Sequence, residues 1–340
     1  MTRHRLSPGS RHSKGFSLIE LMISLVIGLI IAIAAGSAYL GSASAGRIAE
    51  AQSRMNEDGQ AALSILVQQL RMAGDNPLRA ERGATFLAPF RRNPIYLPYN
   101  TSTYTLTMSN SFSAFGIRGC DGKFNNISTA GGSLDTLDPS TCASGTSTVP
   151  DSIAVSYEAD RYNTIPTTAN LPTDCLGNAL SSHTASPALP FYLPALTMTY
   201  AIADNRFYIG TSTGIVSPSL YCKGNGGAST AQPLVENVED MQLSYGTVST
   251  TTTSTTATVA GYLRANELAA LATTPADDAT RWGKVLTIRI CVLIRSENPV
   301  AADANSARYD DCHGNRDVVA PDLRLRRAYS TTVVLRNRRS

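Results

Sequence analysis

The sequence is poor in the residues from which most metal and catalytic sites are built. Only four of its 340 residues are histidine, and no Cys-x-x-Cys pair occurs. Zinc sites draw their ligands from closely spaced cysteines and histidines, so a zinc centre is not expected. The Gly-rich loop that precedes Lys-Ser or Lys-Thr and the His-Glu-x-x-His motif are also absent. We therefore expect a protein that is not an enzyme and holds no cofactor or metal.

An excess of charge of one sign is lacking as well. The chain has 29 basic and 26 acidic residues, a formal net charge of +3. Four of the basic residues, Arg3, Arg5, Arg11 and Lys14, precede Gly15. Without them, 25 basic residues face 26 acidic ones, a net charge of −1. This balance gives no general attraction to a polyanion, so nucleic acid is not an expected partner.

What the sequence does contain is a long apolar run near its N-terminus. No charged residue occurs from Leu21 to Leu40, and a helix of this length spans about 30 Å, the thickness of a bilayer core. Basic residues ahead of the run predict a cytoplasmic N-terminus with the rest of the chain outside the cytoplasm. One carboxylate, Glu20, lies at the start of the run, where an isolated charge is costly. Glu20 therefore needs a cationic partner.

The residues Lys14-Gly15-Phe16-Ser17-Leu18-Ile19-Glu20 resemble the processing site of type IV prepilins and pseudopilins. The resemblance implies that a membrane peptidase cuts after Gly15 and that Phe16 becomes the methylated N-terminus. It also implies that Glu20 is an assembly contact, paired with the α-amino group of Phe16 on a neighbouring subunit or on the same helix. The alternative is an ordinary signal anchor, but such an anchor does not need Glu20.

Beyond Leu40 the helical pattern becomes amphipathic. Apolar residues recur at steps of three and four until Gly74 and Pro77, which predicts one helix from Phe16 to about Met72. The expected plan is a leader peptide (1–15), a transmembrane helix half (16–40), an amphipathic helix half (41–74) and a β-rich periplasmic domain (75–340).

Short apolar alternations in the last part of the chain predict strands. The strongest runs from Val285 to Ile294 and is apolar on both faces, which predicts a central strand packed against the helix. A second long strand is expected from Ala328 to Leu335. Residues 198–202 and 206–209 are predicted to form a hairpin joined by Ala203-Asp204-Asn205. Residues 234–241 are predicted to begin as a short helical turn.

Six cysteines fit an exported domain. They are Cys120, Cys142, Cys175, Cys222, Cys291 and Cys312. Six cysteines allow fifteen pairings, and the sequence does not choose among them. Their spacing suggests the sequential pairs, each of which would close a polar loop.

Three further segments resemble the PilW group of minor pilins. They are Leu63–Gly74, which ends in Arg-Met-Ala-Gly, Leu234–Gly246, with its Val-Glu-Asp turn, and Arg326–Asn337. The resemblance implies an α+β, pilin-like fold, with the long helix packed on an antiparallel sheet and loops stapled by disulfides.

The resemblance also implies a function. The chain would be a minor pilin that takes part in type IV pilus assembly, in a priming or tip complex. Its expected partners are other minor pilins, the major pilin, the prepilin peptidase and a large tip adhesin. It would be a single-pass protein of the inner membrane, with a periplasmic domain, that later enters the fibre or its tip.

Two other interpretations stay open. A pseudopilin of type II secretion shares the N-terminal chemistry, and an adhesin or DNA-binding pilin could use the Thr-rich segment 247–258 and the C-terminal arginines. Glu236, Glu239 and Asp240 have the look of paired catalytic acids, but such charges more often cap a helix or lie on a solvated face.

Overall fold

The computed structural model describes residues 15, 17–74, 99–100, 105–106, 116–125, 127, 142–143, 149–185, 198–212, 214–227, 230–248, 258–272 and 278–335. Residues 1–14 of the expected leader, Phe16 and the last five residues lie outside the described residues, as does most of the Thr-rich segment.

The described residues form three α-helices, twelve strands and one 3-10 turn. The helices are α1 (Leu18–Met72), α2 (Ala265–Ala269) and α3 (Asp278–Gly283), and the 3-10 turn is Asn305–Ala307. The strands are β1 (Tyr99–Asn100), β2 (Thr105–Leu106), β3 (Ile117–Cys120), β4 (Ser152–Ala159), β5 (Ser182–Ala185), β6 (Met198–Ser212), β7 (Ile215–Lys223), β8 (Gln232–Glu236), β9 (Val238–Val248), β10 (Val259–Leu263), β11 (Val285–Arg295) and β12 (Arg326–Val334).

The chain divides into two units, residues 1–50 and 51–340. In the first unit, every described side chain up to Arg47 is exposed. The second unit contains the rest of α1, both larger sheets and all the described buried residues.

A four-stranded antiparallel sheet in the second unit has the order β10-β9-β11-β12. Strand β11 pairs with β9 on one side and with β12 on the other. Its residues Ile288, Ile290, Val292 and Ile294 are fully buried. The prediction of a central strand here is confirmed.

A second antiparallel sheet has the order β3-β4-β6-β7-β8, with β5 paired to the first residues of β6. All eight residues of β4 are buried, so polar as well as apolar side chains of this strand are removed from water. Strand β6 runs for 15 residues without a turn. The predicted hairpin within 198–209 is therefore wrong.

The polar residues that suggested this turn lie in the middle of β6 and have buried partners. The Asp204 N–H donates to Oδ1 of Asn225 (2.9 Å), whose amide in turn donates to the Ile202 carbonyl (2.9 Å). The Asn205 amide donates to Oε1 of Gln69 on α1 (2.8 Å). Because side chains satisfy these groups, the strand continues where exposed polar residues would have turned.

The predicted helical turn at residues 234–241 is also wrong. Strand β8 ends at Glu236 and β9 begins at Val238, with Asn237 between them at a φ of +61°. Asparagine tolerates this left-handed conformation better than most residues. A kink at one residue thus produces the spacing that resembled a helix.

The core joins α1 to both larger sheets. Leu66 of α1, Tyr157 of β4 and Ile288 of β11 belong to one buried apolar cluster. The helix contributes a single stripe at steps of three and four, made of Met55, Gly59, Ala62, Leu66 and Leu70. Each fully buried leucine contributes roughly 1.5–3 kcal/mol to this packing.

Three disulfides tie loops to the sheets. The pairs are Cys120–Cys142, Cys175–Cys222 and Cys291–Cys312. One cysteine of each pair lies in a strand, Cys120 in β3, Cys222 in β7 and Cys291 in β11. Each bridge therefore fixes a loop segment to a sheet and limits the freedom of the unfolded chain.

Candidate functional site

The N-terminal end of α1 carries the predicted assembly residues. The helix begins at Leu18, and the first described helical hydrogen bond joins the Leu21 N–H to the Ser17 carbonyl (3.1 Å). Glu20 lies in the first turn, where the helix dipole favours a negative charge. Gly15 and Glu20 are exposed. Because Phe16 lies outside the described residues, the contact between its amine and Glu20 stays a prediction.

Two serine hydroxyl groups in the apolar half of α1 are satisfied within the helix. Ser24 donates to the Glu20 carbonyl (2.7 Å) and Ser37 to the Ala34 carbonyl (2.9 Å). In an apolar medium every polar group needs such an internal partner. These serines therefore do not oppose insertion into a bilayer.

The apolar half of α1 is exposed all the way round. Between Leu18 and Leu40 the large apolar side chains are 52–79% exposed. Among the described residues, α1 is the one helix long and apolar enough to cross a membrane. So much exposed apolar surface is unfavourable in water, and it requires a bilayer or the helices of other subunits around it.

The second half of α1 packs closely on β12. A Cβ at Gly59 would lie 2.6 Å from the Tyr329 ring, so only glycine lets the ring approach this far. The Tyr329 hydroxyl donates to Oδ1 of Asn56, one turn earlier (2.6 Å). The helix and the last strand are thus joined by ring contact and by a hydrogen bond.

The C-terminal end of α1 is fixed to β4. Gly74 has a φ of +72°, and its N–H donates to the Ser156 carbonyl (2.9 Å). Its backbone lies so close to Gly116 that a Cβ there would be 2.6 Å from the Gly74 nitrogen. The Arg-Met-Ala-Gly ending therefore has a structural role, since glycine at residue 74 provides the left-handed helix cap.

The three acidic residues near β9 do not form a catalytic pair. Glu239 accepts hydrogen bonds from buried Arg326 (2.6 and 3.1 Å). Asp240 lies 3.2 Å from Nε2 of His313, and burial raises its pKa above the ordinary value. Glu236 is exposed at the end of β8. Glu239 and Asp240 thus have different partners and hold different segments.

The described C-terminal arginines are engaged within the fold. Arg326 is buried and also contacts Asp322 (2.7 Å), while Arg324 donates to the Ser296 carbonyl (2.9 Å). The Arg327 guanidinium lies over the Tyr329 ring. Arg336, Arg338 and Arg339 lie outside the described residues.

The sequence contains one short motif that is typical of serine hydrolases. Gly210-Thr211-Ser212-Thr213-Gly214 has the G-x-S-x-G spacing of a nucleophile elbow, a motif that sequence reasoning overlooked. In the structure Ser212 pairs with Ile215 at the hairpin between β6 and β7. A nucleophile elbow needs a strand that turns into a helix. The spacing therefore lacks its structural context.

The acidic loop after β11 forms its hydrogen bonds internally. Asp303 accepts from Ser306 (2.8 Å), and Asp311 accepts from the N–H groups of His313 and Asn315 (2.9 and 2.8 Å). No group of three or more His, Cys, Asp or Glu in the described part of the chain is arranged to hold a metal.

Two family models match the chain. Residues 10–36 match the prokaryotic N-terminal methylation motif, which covers Gly15, Phe16 and Glu20. Residues 206–337, from β6 to beyond β12, match the type IV pilus-assembly protein W, PilW. Together the two matches indicate a type IV pilus minor pilin of the PilW family. The PilW match covers the four-stranded sheet on which α1 packs.

The chain is also similar to a solved structure. The type IV-like pilin of Thermus thermophilus is 13% identical over 57% of this chain and 82% of its own, with a TM-score of 0.25. No curated protein sequence matches the chain.

Proposed function

We propose that this PilW-family pilin is anchored in the inner membrane by the first half of α1, with its globular unit in the periplasm, and that it helps to prime pilus assembly. The observation that supports this best is the exposed, apolar first half of α1, which carries no charge from Leu21 to Leu40. Such a helix can move from bilayer to fibre core without leaving an apolar medium.

Maturation would precede assembly. In this proposal the prepilin peptidase removes residues 1–15 and Phe16 becomes the methylated N-terminus. Residues 16–40 then form the membrane half of the helix, residues 41–74 the amphipathic half, and residues 75–340 the periplasmic domain. The N-terminal methylation motif at residues 10–36 supports this order of events.

Glu20 would set the position of each subunit along the fibre. Its carboxylate lies in the first helical turn, four residues along the chain from the amine that cleavage would create. In an apolar medium an unpaired carboxylate is costly, and pairing with an amine of a neighbouring subunit removes much of that cost. Subunits in the correct register are therefore favoured over subunits in any other.

The test is Glu20→Ala in the full chain, with Glu57→Ala as the control. Both residues are exposed on α1, but Glu57 lies outside the apolar half. We expect Glu20→Ala to abolish incorporation of the protein into fibres and the control to leave it unchanged. Normal numbers of pili containing the Glu20→Ala protein would contradict the register role.

The partners of this proposal are other minor pilins, the major pilin and a large tip adhesin. The type II secretion interpretation shares the N-terminal chemistry, and the PilW match at residues 206–337 favours the pilus. A DNA-binding role loses support from Arg324 and Arg326, because both are engaged within the fold.

A further inference from the structure

A loop between β4 and β5 holds apolar side chains in solvent. We name residues 160–172 the Tyr162 loop. Tyr162 is 80% exposed and Ile165 is 84% exposed, and Leu171 near the end of the loop is 42% exposed. Single exposed apolar residues are common on protein surfaces, but two so fully exposed within four residues of one loop are not explained by packing.

Hydrogen bonds at the start of the loop fix its backbone. Oδ1 of Asp160 accepts from the N–H groups of Tyr162 (2.7 Å) and Asn163 (2.8 Å). The Asn163 side chain donates to the Glu158 carbonyl (2.8 Å), and the Thr164 hydroxyl donates to the Asp160 carbonyl (2.6 Å). Tyr162 therefore projects from a defined turn.

Hydrogen bonds also fix the second part of the Tyr162 loop. The Thr167 N–H donates to the Leu171 carbonyl (2.9 Å), and the Leu171 N–H donates to the Thr167 hydroxyl (3.2 Å). The buried Thr173 hydroxyl donates to the Ile165 carbonyl (2.6 Å). The disulfide from Cys175 to Cys222 then ties the chain to β7. The exposed residues are thus ordered before any partner binds, which lowers the entropic cost of binding.

Charge on the loop indicates the chemistry of a partner. The Arg161 guanidinium lies 4.7 Å from the centre of the Tyr162 ring and also donates to the Tyr162 hydroxyl. Among the described residues it forms no ion pair with a carboxylate, and Oδ1 of the neighbouring Asp160 accepts from backbone N–H groups. The loop thus offers one cation beside two apolar side chains.

We propose that the Tyr162 loop is a docking element for another subunit of the pilus, whose surface offers an apolar concavity with a carboxylate at its edge. The proposal rests on the proposed function in assembly. Tyr162 and Ile165 of the loop are more than three quarters exposed, whereas a site for a small molecule encloses its ligand in a concave pocket. Tyrosine and arginine are also the residue types that most often dominate binding between proteins.

The direct test places a photo-crosslinking phenylalanine analogue at Tyr162 in the full chain, expressed in cells that assemble pili. The control is the same analogue at Leu323, an exposed apolar residue elsewhere in the unit. We expect light to join residue 162, but not residue 323, to another pilin subunit. Crosslinks from 162 only to lipid or to proteins outside the pilus would overturn the proposal, as would no crosslink from protein that is present in fibres.

A second test removes the apolar side chains. Tyr162→Ser combined with Ile165→Ser should lower incorporation into fibres at least about tenfold, since hot-spot residues each account for roughly a tenfold or greater loss of binding. The matched control, Val319→Ser with Leu323→Ser, should have no such effect. Equal incorporation of both double variants would overturn the docking role. If the unchanged protein itself never enters fibres, the proposed function fails instead.

Discussion

The two halves of α1 belong to one helix but have opposite relations to water. From Leu18 to Leu40 the apolar side chains are exposed on every side, and no buried stripe exists. From Ala51 to Met72 the helix buries a single stripe, with Leu66 at 1% and Leu70 at 0% exposure. The two halves are nearly equal in length, so length does not distinguish them.

The difference shows that the distribution of apolar residues around a helix indicates its surroundings. A helix that is apolar all round is buried in lipid or among other helices, and a helix with one apolar stripe packs on one surface. The same chain therefore folds its second half against its own sheets and leaves its first half for a membrane or for other subunits.

The largest difference in the free energy of unfolding is expected between two Leu→Ala variants, one in each half of α1. Leu66→Ala leaves a cavity between α1 and the sheets and should lower the free energy of unfolding by about 2–5 kcal/mol. Leu29→Ala, at a position that is 57% exposed, should change it by less than about 0.5 kcal/mol. Chemical denaturation of the detergent-solubilised full chain measures both. Similar losses for the two variants would remove the distinction between the halves.

Replacing one glycine in each half of α1 by alanine compares the two halves with a smaller change. Gly59→Ala forces the Tyr329 ring to move, because the new Cβ would lie 2.6 Å from it, and should cost about 1–3 kcal/mol. A Cβ at Gly28 meets nothing within 4 Å, so Gly28→Ala should leave the globular unit unchanged and favour the helix by up to about 1 kcal/mol. Thermal unfolding followed by circular dichroism checks both. A neutral Gly59→Ala would show that the contact with Tyr329 is looser than described.

A buried carboxyl group in the second unit should make the free energy of unfolding depend on pH. Asp151 is 4% exposed, and burial raises its pKa from about 3.8 to about 7, although the N–H of Leu243 hydrogen-bonds to its carboxylate (2.7 Å). Asp121 and Asp240 also act on it, and both raise the pKa further.

Since the folded protein then binds more protons than the unfolded chain between about pH 4 and pH 7, the free energy of unfolding should fall as pH rises through this interval. We expect this carboxyl to contribute a fall of up to about 4 kcal/mol, measured by urea denaturation at each pH. Asp151→Asn, which keeps an acceptor for Leu243, should flatten the profile. An unchanged slope in Asp151→Asn would contradict the assignment.

The smallest change in the free energy of unfolding is expected when an exposed ion pair of α1 is removed. Arg54 and Glu297 form an ion pair of 3.1 Å with side chains 61% and 60% exposed. Such pairs contribute little, so Glu297→Gln should cost less than about 1 kcal/mol, and less still at high salt. A loss as large as that of Leu66→Ala would mean that surface charge, rather than the buried stripe, holds the helix.

Periodicity in the sequence was enough to predict α1 and the central strand β11. Both elements have long and regular apolar patterns, with Ile288, Ile290 and Val292 alternating in β11. The N-terminal motif was recognisable because its glycine and carboxylate lie close together in sequence. These signals are local, and local signals can be read from the sequence alone.

The errors came from residues whose partners are distant in sequence. Asp204 and Asn205 suggested a turn because their partners, Asn225 and Gln69, could not be identified without the fold. The roles of Glu239 and Asp240 depend in the same way on Arg326 and His313. The Tyr162 loop gave no signal, because neither exposure nor loop hydrogen bonds follow a sequence period.

We propose that the first half of α1 starts at a processed N-terminus and functions in assembly. The most direct measurement is the intact mass of the protein isolated from membranes of a strain that assembles pili. We predict a chain that lacks residues 1–15 and carries one added methyl group at Phe16. A chain of full length, or one cleaved after the apolar run so that α1 loses its first half, would contradict it.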